Sequence, residues 1–144
     1  MNSLVFIDYL PPATEAEILG LEVLINATLP EGIKSIYRNY NGGRPQPSFV
    51  HDMKRLYPIN AFHSISQTVM FYNDFDDESL PEGFNKYDML PFAYDPGSGI
   101  YSLSLRRSDF GTVYFYVLHE EAEIFGVWES FELFINSIVD DPDL

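Results

Sequence analysis

An α+β fold is predicted: two helices at the front, one at the end, and a single antiparallel or mixed β-sheet on which all three pack. Three observations predict it. Two capped helical segments follow one another within residues 14–43, three strand-like runs separated by turn residues occupy 90–118, and an apolar stripe at helical spacing lies at 131–138. Helices gathered on one antiparallel sheet bury both kinds of apolar surface. At 144 residues the chain has the length of one domain. That domain is expected to span 1–144, with 1–13 as an N-terminal arm and 140–144 as a frayed acidic tail.

Residues 1–12 hold a short apolar stretch stopped by Pro11-Pro12, an extended arm or brief strand. Thr14 and Glu17 then stand in a capping-box arrangement, and Ile18, Leu21 and Ile25 share one helical face. Leu29-Pro30 breaks the chain, with Pro30 suited to open a second helix. Its apolar face is Ile33, Ile36, Tyr37 and Tyr40, and Asn41-Gly42-Gly43 stops it.

Phe49–His51 and Ala61–Ile65 read as short strands near prolines, and Thr68–Tyr72 as a further strand. Residues 73–88, acidic and rich in turn formers, read as a surface loop. Leu90–Tyr94 is a strand, and Asp95-Pro96-Gly97-Ser98-Gly99 a turn. Tyr101, Leu103 and Leu105 alternate with Ser102 and Ser104, the period of a half-buried strand. After the turn at Ser108–Gly111, Thr112–Leu118 is apolar on both faces, as a central strand is. Ser130 caps the closing helix, in which Phe131, Phe134, Ile135 and Ile138 form the stripe that faces the sheet.

Charge bounds the function. With 22 acidic residues against 8 basic ones, the formal net charge is −14. Such a field repels nucleic acid and anionic membrane surfaces and speeds encounter with a basic protein. No cysteine is present, which excludes disulfides, thiolate metal sites and cysteine nucleophiles. The N-terminus lacks the basic start and long apolar core of a signal peptide, and no stretch approaches the roughly 20 apolar residues that span a bilayer. A cytoplasmic location is expected. Asn26-Ala27-Thr28 matches a glycosylation acceptor by chance alone on that view.

Chemistry is sought and not found. His51, His63 and His119 have no metal-binding spacing and read as core or surface residues. Asp74–Glu78 imitates the start of a calcium loop, but Ser79 stands where the loop needs glycine and Asn85 where it needs glutamate. Neither Gly42-Gly43 nor Gly97-Ser98-Gly99 fits a phosphate loop, and no nucleophile elbow is present. Among 22 acids a carboxylate pair carries no information. No catalytic residue, metal site or cofactor is assigned. Aromatic side chains serve interfaces as well as cores, and Tyr72, Tyr87 and Tyr94, near the acidic run, are candidates for a protein-binding patch.

In order and spacing, several of these features resemble the SUKH superfamily, the cell-wall-regulator and immunity proteins named after SMI/KNR. They are the first helix with Glu22, Leu29-Pro30, Tyr37 in the second helix and the Asn41-Gly42-Gly43 stop. Leu90–Asp95, the glycine turn at 97–99, Tyr101-Ser102-Leu103, Gly111-Thr112-Val113-Tyr114 and Ser130-Phe131 with Phe134 follow. The resemblance covers about residues 14 to 139, with 44–88 the part that matches least.

The resemblance implies helices packed on one antiparallel sheet and a protein without catalytic residues. It further implies an immunity protein that binds and neutralises a cognate toxin, often a nuclease, or alternatively a regulatory adaptor without a toxin. Pro30, Gly42, Gly111 and Phe131 serve corners, caps and packing on this reading. The partner is expected to be basic. Its surface is sought first at Asp74, Asp76, Asp77, Glu78 and Glu82, and second at Glu120, Glu121 and Glu123.

Overall fold

The first helix forms where its capping box demands. In the computed structural model, which describes residues 4–118 and 123–140, Thr14 Oγ1 accepts from the Glu17 amide and Glu17 Oε1 from the Thr14 amide, at 3.1 and 2.9 Å. Helix α1 (Glu15–Ile25) ends at Asn26 in the left-handed conformation, and α2 (Glu31–Tyr40) follows. Glu22 organises the corner between them: its carboxylate accepts from the Leu29 amide at 2.8 Å and pairs with Lys34 at 3.4 Å. Beyond α2, Asn41 bridges two segments, donating to the Pro11 carbonyl and accepting from the Ile65 amide. Gly42 sits at φ +77°, where a side chain would be strained and its Cβ would lie 3.1 Å from that of Ser64.

The strands do not join into the single sheet expected. Among the described residues they form three antiparallel sheets, and there are four helices rather than three. A ribbon pairs β1 (Val5–Ile7) with β2 (Arg44–Gln46). A three-stranded sheet runs β10–β3–β4, from β3 (Phe49–His51), β4 (Leu56–Pro58) and the closing β10 (Ile138–Val139). The third, in order β5–β6–β7–β8–β9, contains β5 (Ala61–Phe62), β6 (Met89–Tyr94), β7 (Gly99–Ser104), β8 (Val113–Val117) and β9 (Ile124–Trp128). Pro45, Pro47 and Pro58 lack the amide hydrogen a ladder needs, which keeps the strands of residues 44–58 short.

The helix not anticipated is α3 (Ile65–Asp74), which takes up the segment read as a strand at 68–72. Its start is a second capping box, Ser64 with Gln67, at 3.1 and 2.8 Å. The β-branched and aromatic run that suggests a strand also places Thr68, Phe71 and Tyr72 at helical spacing, and these are the residues buried. The last helix, α4 (Phe131–Asn136), is shorter than its apolar stripe: Ile138 leaves it to pair with Val50 in β10.

Strands β7 and β8 have apolar cover on both faces. On one face Tyr101, Leu103, Val113, Phe115 and Trp128 join the side chains of α1, α2 and α4 in the larger core. On the other, Ile100 and Tyr116 meet Phe71, Leu80, Phe84, Met89 and Leu118 in a smaller one. All six residues of β7 are therefore buried, not alternate ones. Ser102 and Ser104, placed on an exposed face by their spacing, are 0% exposed. Each is satisfied, Ser102 by the Tyr116 hydroxyl at 2.8 Å and Ser104 by donating to Asp109 at 2.5 Å.

The cover over this second face is the 73–88 stretch expected to be a surface loop. Leu80 and Phe84 are buried, and the Phe84 ring packs edge-on to Tyr114 and Tyr116. Arg106 lies over the Phe84 ring at 4.7 Å and pairs with Asp109, which also accepts from Tyr114 at 2.5 Å. Partial burial resists ionisation of Asp109, and the hydrogen bonds from Arg106, Ser104 and Tyr114 outweigh it, holding the carboxyl down at about 2.

Two outcomes are expected. Phe84→Ala loses about 3–5 kcal/mol in urea denaturation and exposes the amides of 75–88 to hydrogen exchange before those of α1 and α2. For Asp109 the folded pKa lies below the unfolded one, so its contribution is present above pH ~4 and lost as pH falls towards 2. Asp109→Asn removes about 2 kcal/mol at neutral pH and with it that acid-range dependence, read from denaturation midpoints across pH.

Candidate partner-binding site

The acidic segment behind α3 is held from beneath, and among the described residues its carboxylates at 74–82 form no ion pair. A helix ends with carbonyls that lack intrahelical partners. Here Lys86 supplies the donors, its Nζ reaching the carbonyls of Tyr72 and Phe75 at 2.7 and 3.0 Å. Asp77 accepts from the Lys86 amide at 2.8 Å, closing the segment on itself across a 3₁₀ turn at Asp77–Ser79. Leu80 and Phe84 fix it to the smaller core.

Asp74, Asp76, Asp77, Glu78 and Glu82 are all exposed on this base. Among the described residues none of the five forms an ion pair. The contrast with the α1–α2 face is sharp in its charge balance. There Arg38 takes Glu15 at 2.9 Å and Glu31 at 3.5 Å, and Lys34 takes Glu22 and Glu31. The field of the 74–82 segment is thus uncompensated locally, the condition for attracting a cationic surface.

Beside it runs a groove of about 410 Å³, lined by His63, Met70, Asp74, Tyr94, Ser98 and Leu118 among others. Met70, on the outer side of α3, is 57% exposed. The turn at 95–99 that forms one wall is braced by Asp95, whose Oδ1 accepts from the amides of Gly97 and Gly99, each at 2.8 Å. Gly99 packs so closely under Phe115 that a Cβ would lie 2.5 Å from the ring. At the back of the groove His63 stacks on Tyr94 and donates Nδ1–H to the Pro91 carbonyl at 3.2 Å. Burial pushes its pKa down to about 4, against the opposing pull of that hydrogen bond, and keeps the ring neutral.

The three candidate tyrosines separate. Tyr72 belongs to the larger core, 1% exposed, with its hydroxyl bonded to the Met89 carbonyl at 2.5 Å, so it offers nothing to a partner. Tyr87 is exposed and stacks on Tyr72 at 5.5 Å, and Tyr94 stands half-buried in the groove. Glu123 is exposed at the start of β9. Glu120 and Glu121 lie outside the described residues, as do His119 and the expected acidic tail beyond Asp140.

Sequence reasoning missed Lys86 and Met70. Lys86 carried a usable signal as the one basic residue in 73–88, whereas Met70 becomes visible only once the segment is known to be helical. Among the described residues no three His, Asp or Glu side chains gather as metal ligands, and no helix is long and apolar enough to cross a membrane.

His63 sets a pH dependence. Its folded pKa lies below the unfolded value near 6.5, so the stabilisation is complete above that pH and is lost as pH falls towards 4. The loss approaches about 3 kcal/mol. Denaturation midpoints measured across this range should decline for the native chain and decline far less for His63→Gln.

Among curated proteins no sequence matches this chain. A family model does match, over residues 12–137, from the turn before α1 to the end of α4. Its span takes in the Glu22 corner, the Gly42 turn and the five-stranded sheet, and the chain belongs to the SMI1 / KNR4 family (SUKH-1).

Proposed function

We propose that the protein is a non-catalytic immunity protein that binds and neutralises a cognate, basic bacterial toxin in the cytoplasm. Membership of a family of immunity and regulator proteins supports the class. The observation that carries the reading is the set of five exposed carboxylates at 74–82, without an ion pair among the described residues and mounted on a segment anchored by Lys86 and Phe84. A fixed array of like charges speeds capture of a cationic partner and loses little freedom on binding. In a nuclease it matches the groove that receives phosphates, and it blocks that groove by occupying it. The −14 net charge acts in the same direction at longer range and keeps the protein itself off nucleic acid.

The test is capture of the neighbouring gene product on co-expression, followed by titration against salt. A stoichiometric complex with a basic protein is expected, weakening as ionic strength rises. Asp76→Lys together with Glu78→Lys should slow association by about tenfold or more while leaving the thermal midpoint of the free protein unchanged. A complex indifferent to salt and to both reversals would remove the acidic surface from the account. Capture of a neutral regulatory protein instead would favour an adaptor role.

A further inference from the structure

The groove beside α3 has a chemistry that the exposed carboxylates do not account for. His63 stands just before the helix and Asp74 is its last residue, so the groove follows α3 for about 15 Å at 1.5 Å per residue. Phe71, Ile100 and Leu118, buried members of the smaller core, line it between those ends. Exposed Met70 lies on the α3 side, and Ser98, in the turn braced by Asp95, on the other.

One end of the groove offers a lone pair. His63 is only 7% exposed, and its Nδ1 is bonded to the Pro91 carbonyl. A carbonyl can only accept, so the proton sits on Nδ1 and the neutral ring keeps its lone pair on Nε2. Among the described residues Nε2 has no partner, yet no side-chain nitrogen or oxygen sealed from solvent goes unsatisfied. Nε2 is therefore open to the space that His63 lines. Stacking on Tyr94 at 5.4 Å holds the ring in that orientation. The other end offers a charge, since Asp74 is exposed and has no ion pair among the described residues.

Acceptor, apolar middle and anion together select the occupant. A purely apolar ligand would cover the lone pair and the carboxylate without pairing either, which costs binding energy. A second copy of this chain would bring −14 against −14. A peptide segment supplies N–H donors along its length, and about 15 Å holds four or five extended residues at about 3.3 Å each. Methionine adapts its shape to what it meets, so Met70 can close over an apolar side chain seated beside it.

We propose that the groove along α3 binds an extended segment of a basic protein, with one apolar side chain against Phe71, Ile100 and Leu118, a Lys or Arg at Asp74, and a hydrogen bond donated to His63 Nε2. The proposal deepens the protein-binding reading above and rests on it, but it does not need the partner to be a toxin.

The probe is an array of end-blocked pentapeptides, each carrying one Leu, Met or Phe and one Lys or Arg. Matched sets replace the basic residue with Glu or the apolar residue with Ser. The strongest binders are titrated into the intact protein labelled at the methionine methyls and the histidine nitrogens and followed by NMR. Either replacement in the peptide should cost about tenfold or more in affinity. The Met70 methyl signal should shift, and the His63 Nε2 resonance should move in the direction of a hydrogen-bonded nitrogen. Met70→Lys and Asp74→Lys should each weaken binding about tenfold, and Asp76→Lys with Glu78→Lys less than threefold. Met70 and Asp74 are exposed, and lysine suits the last turn of a helix, so both variants keep the fold.

No binding, binding that survives either replacement, unmoved Met70 and His63 signals, or a dimer of the native chain that Met70→Lys dissolves would each overturn the proposal. A toxin complex weakened by Asp76→Lys with Glu78→Lys but indifferent to Met70→Lys sinks this inference alone. Peptides seated in the groove with no toxin captured sink the immunity reading alone.

Discussion

Burial of β7 and β8 on both faces is the constraint from which the rest of the architecture follows. A sheet with one apolar face needs one layer of cover, which α1, α2 and α4 provide. Here the opposite face carries Ile100 and Tyr116 as well, together with two serine hydroxyls that must be paired once water is excluded. The chain meets that demand with its middle: α3 contributes Phe71 to the smaller core and Ile65 and Tyr72 to the larger, and residues 75–88 fold back over the strands. The position of the acidic segment is thus set by the second core.

Where one local signal determined the outcome, the sequence was a good guide. The Thr14–Glu17 box, the Leu29-Pro30 corner, the stop at Asn41-Gly42 and the three runs that became β6, β7 and β8 all rest on contacts within a few residues. Their observed boundaries lie close to those read from pattern. The errors arose where one pattern admits two periods or where distant pairing decides. Thr68–Tyr72 satisfies a strand by composition and a helix by spacing, and the Ser64–Gln67 box settles it.

Ser102 and Ser104 look solvent-facing until Tyr116 and Asp109 are known to sit above them. The double-sided pattern of 112–118 implies a covering segment for the second face, and Leu80 and Phe84 supply it from a stretch whose composition is that of a loop. For the site, the exposure of the five carboxylates agrees with their reading as a charged surface. The buried Tyr72 shows that proximity in sequence to an acidic run does not place an aromatic at the surface.

The cations tell a related story. Of the eight, Lys34, Arg38, Lys86, Arg106 and Arg44 are engaged with carboxylates, main-chain carbonyls or the Asn60 amide. Positive charge is spent at corners and helix ends, where it offsets local anions and dipoles. The negative excess is left on outward-facing segments, and the imbalance is therefore regional as well as global.

Lys86 gives the acidic segment an unusual freedom. Its ammonium grips main-chain carbonyls, whose positions do not depend on which side chains stand at 74, 76, 78 or 82, and the hydrophobic anchors are other residues again. At those four positions surface charge and folding are written on separate letters of the same stretch, whereas Asp77, which accepts from the Lys86 amide, serves both. The outward positions can therefore change one at a time, redrawing the charge of this surface, while the scaffold beneath keeps its shape.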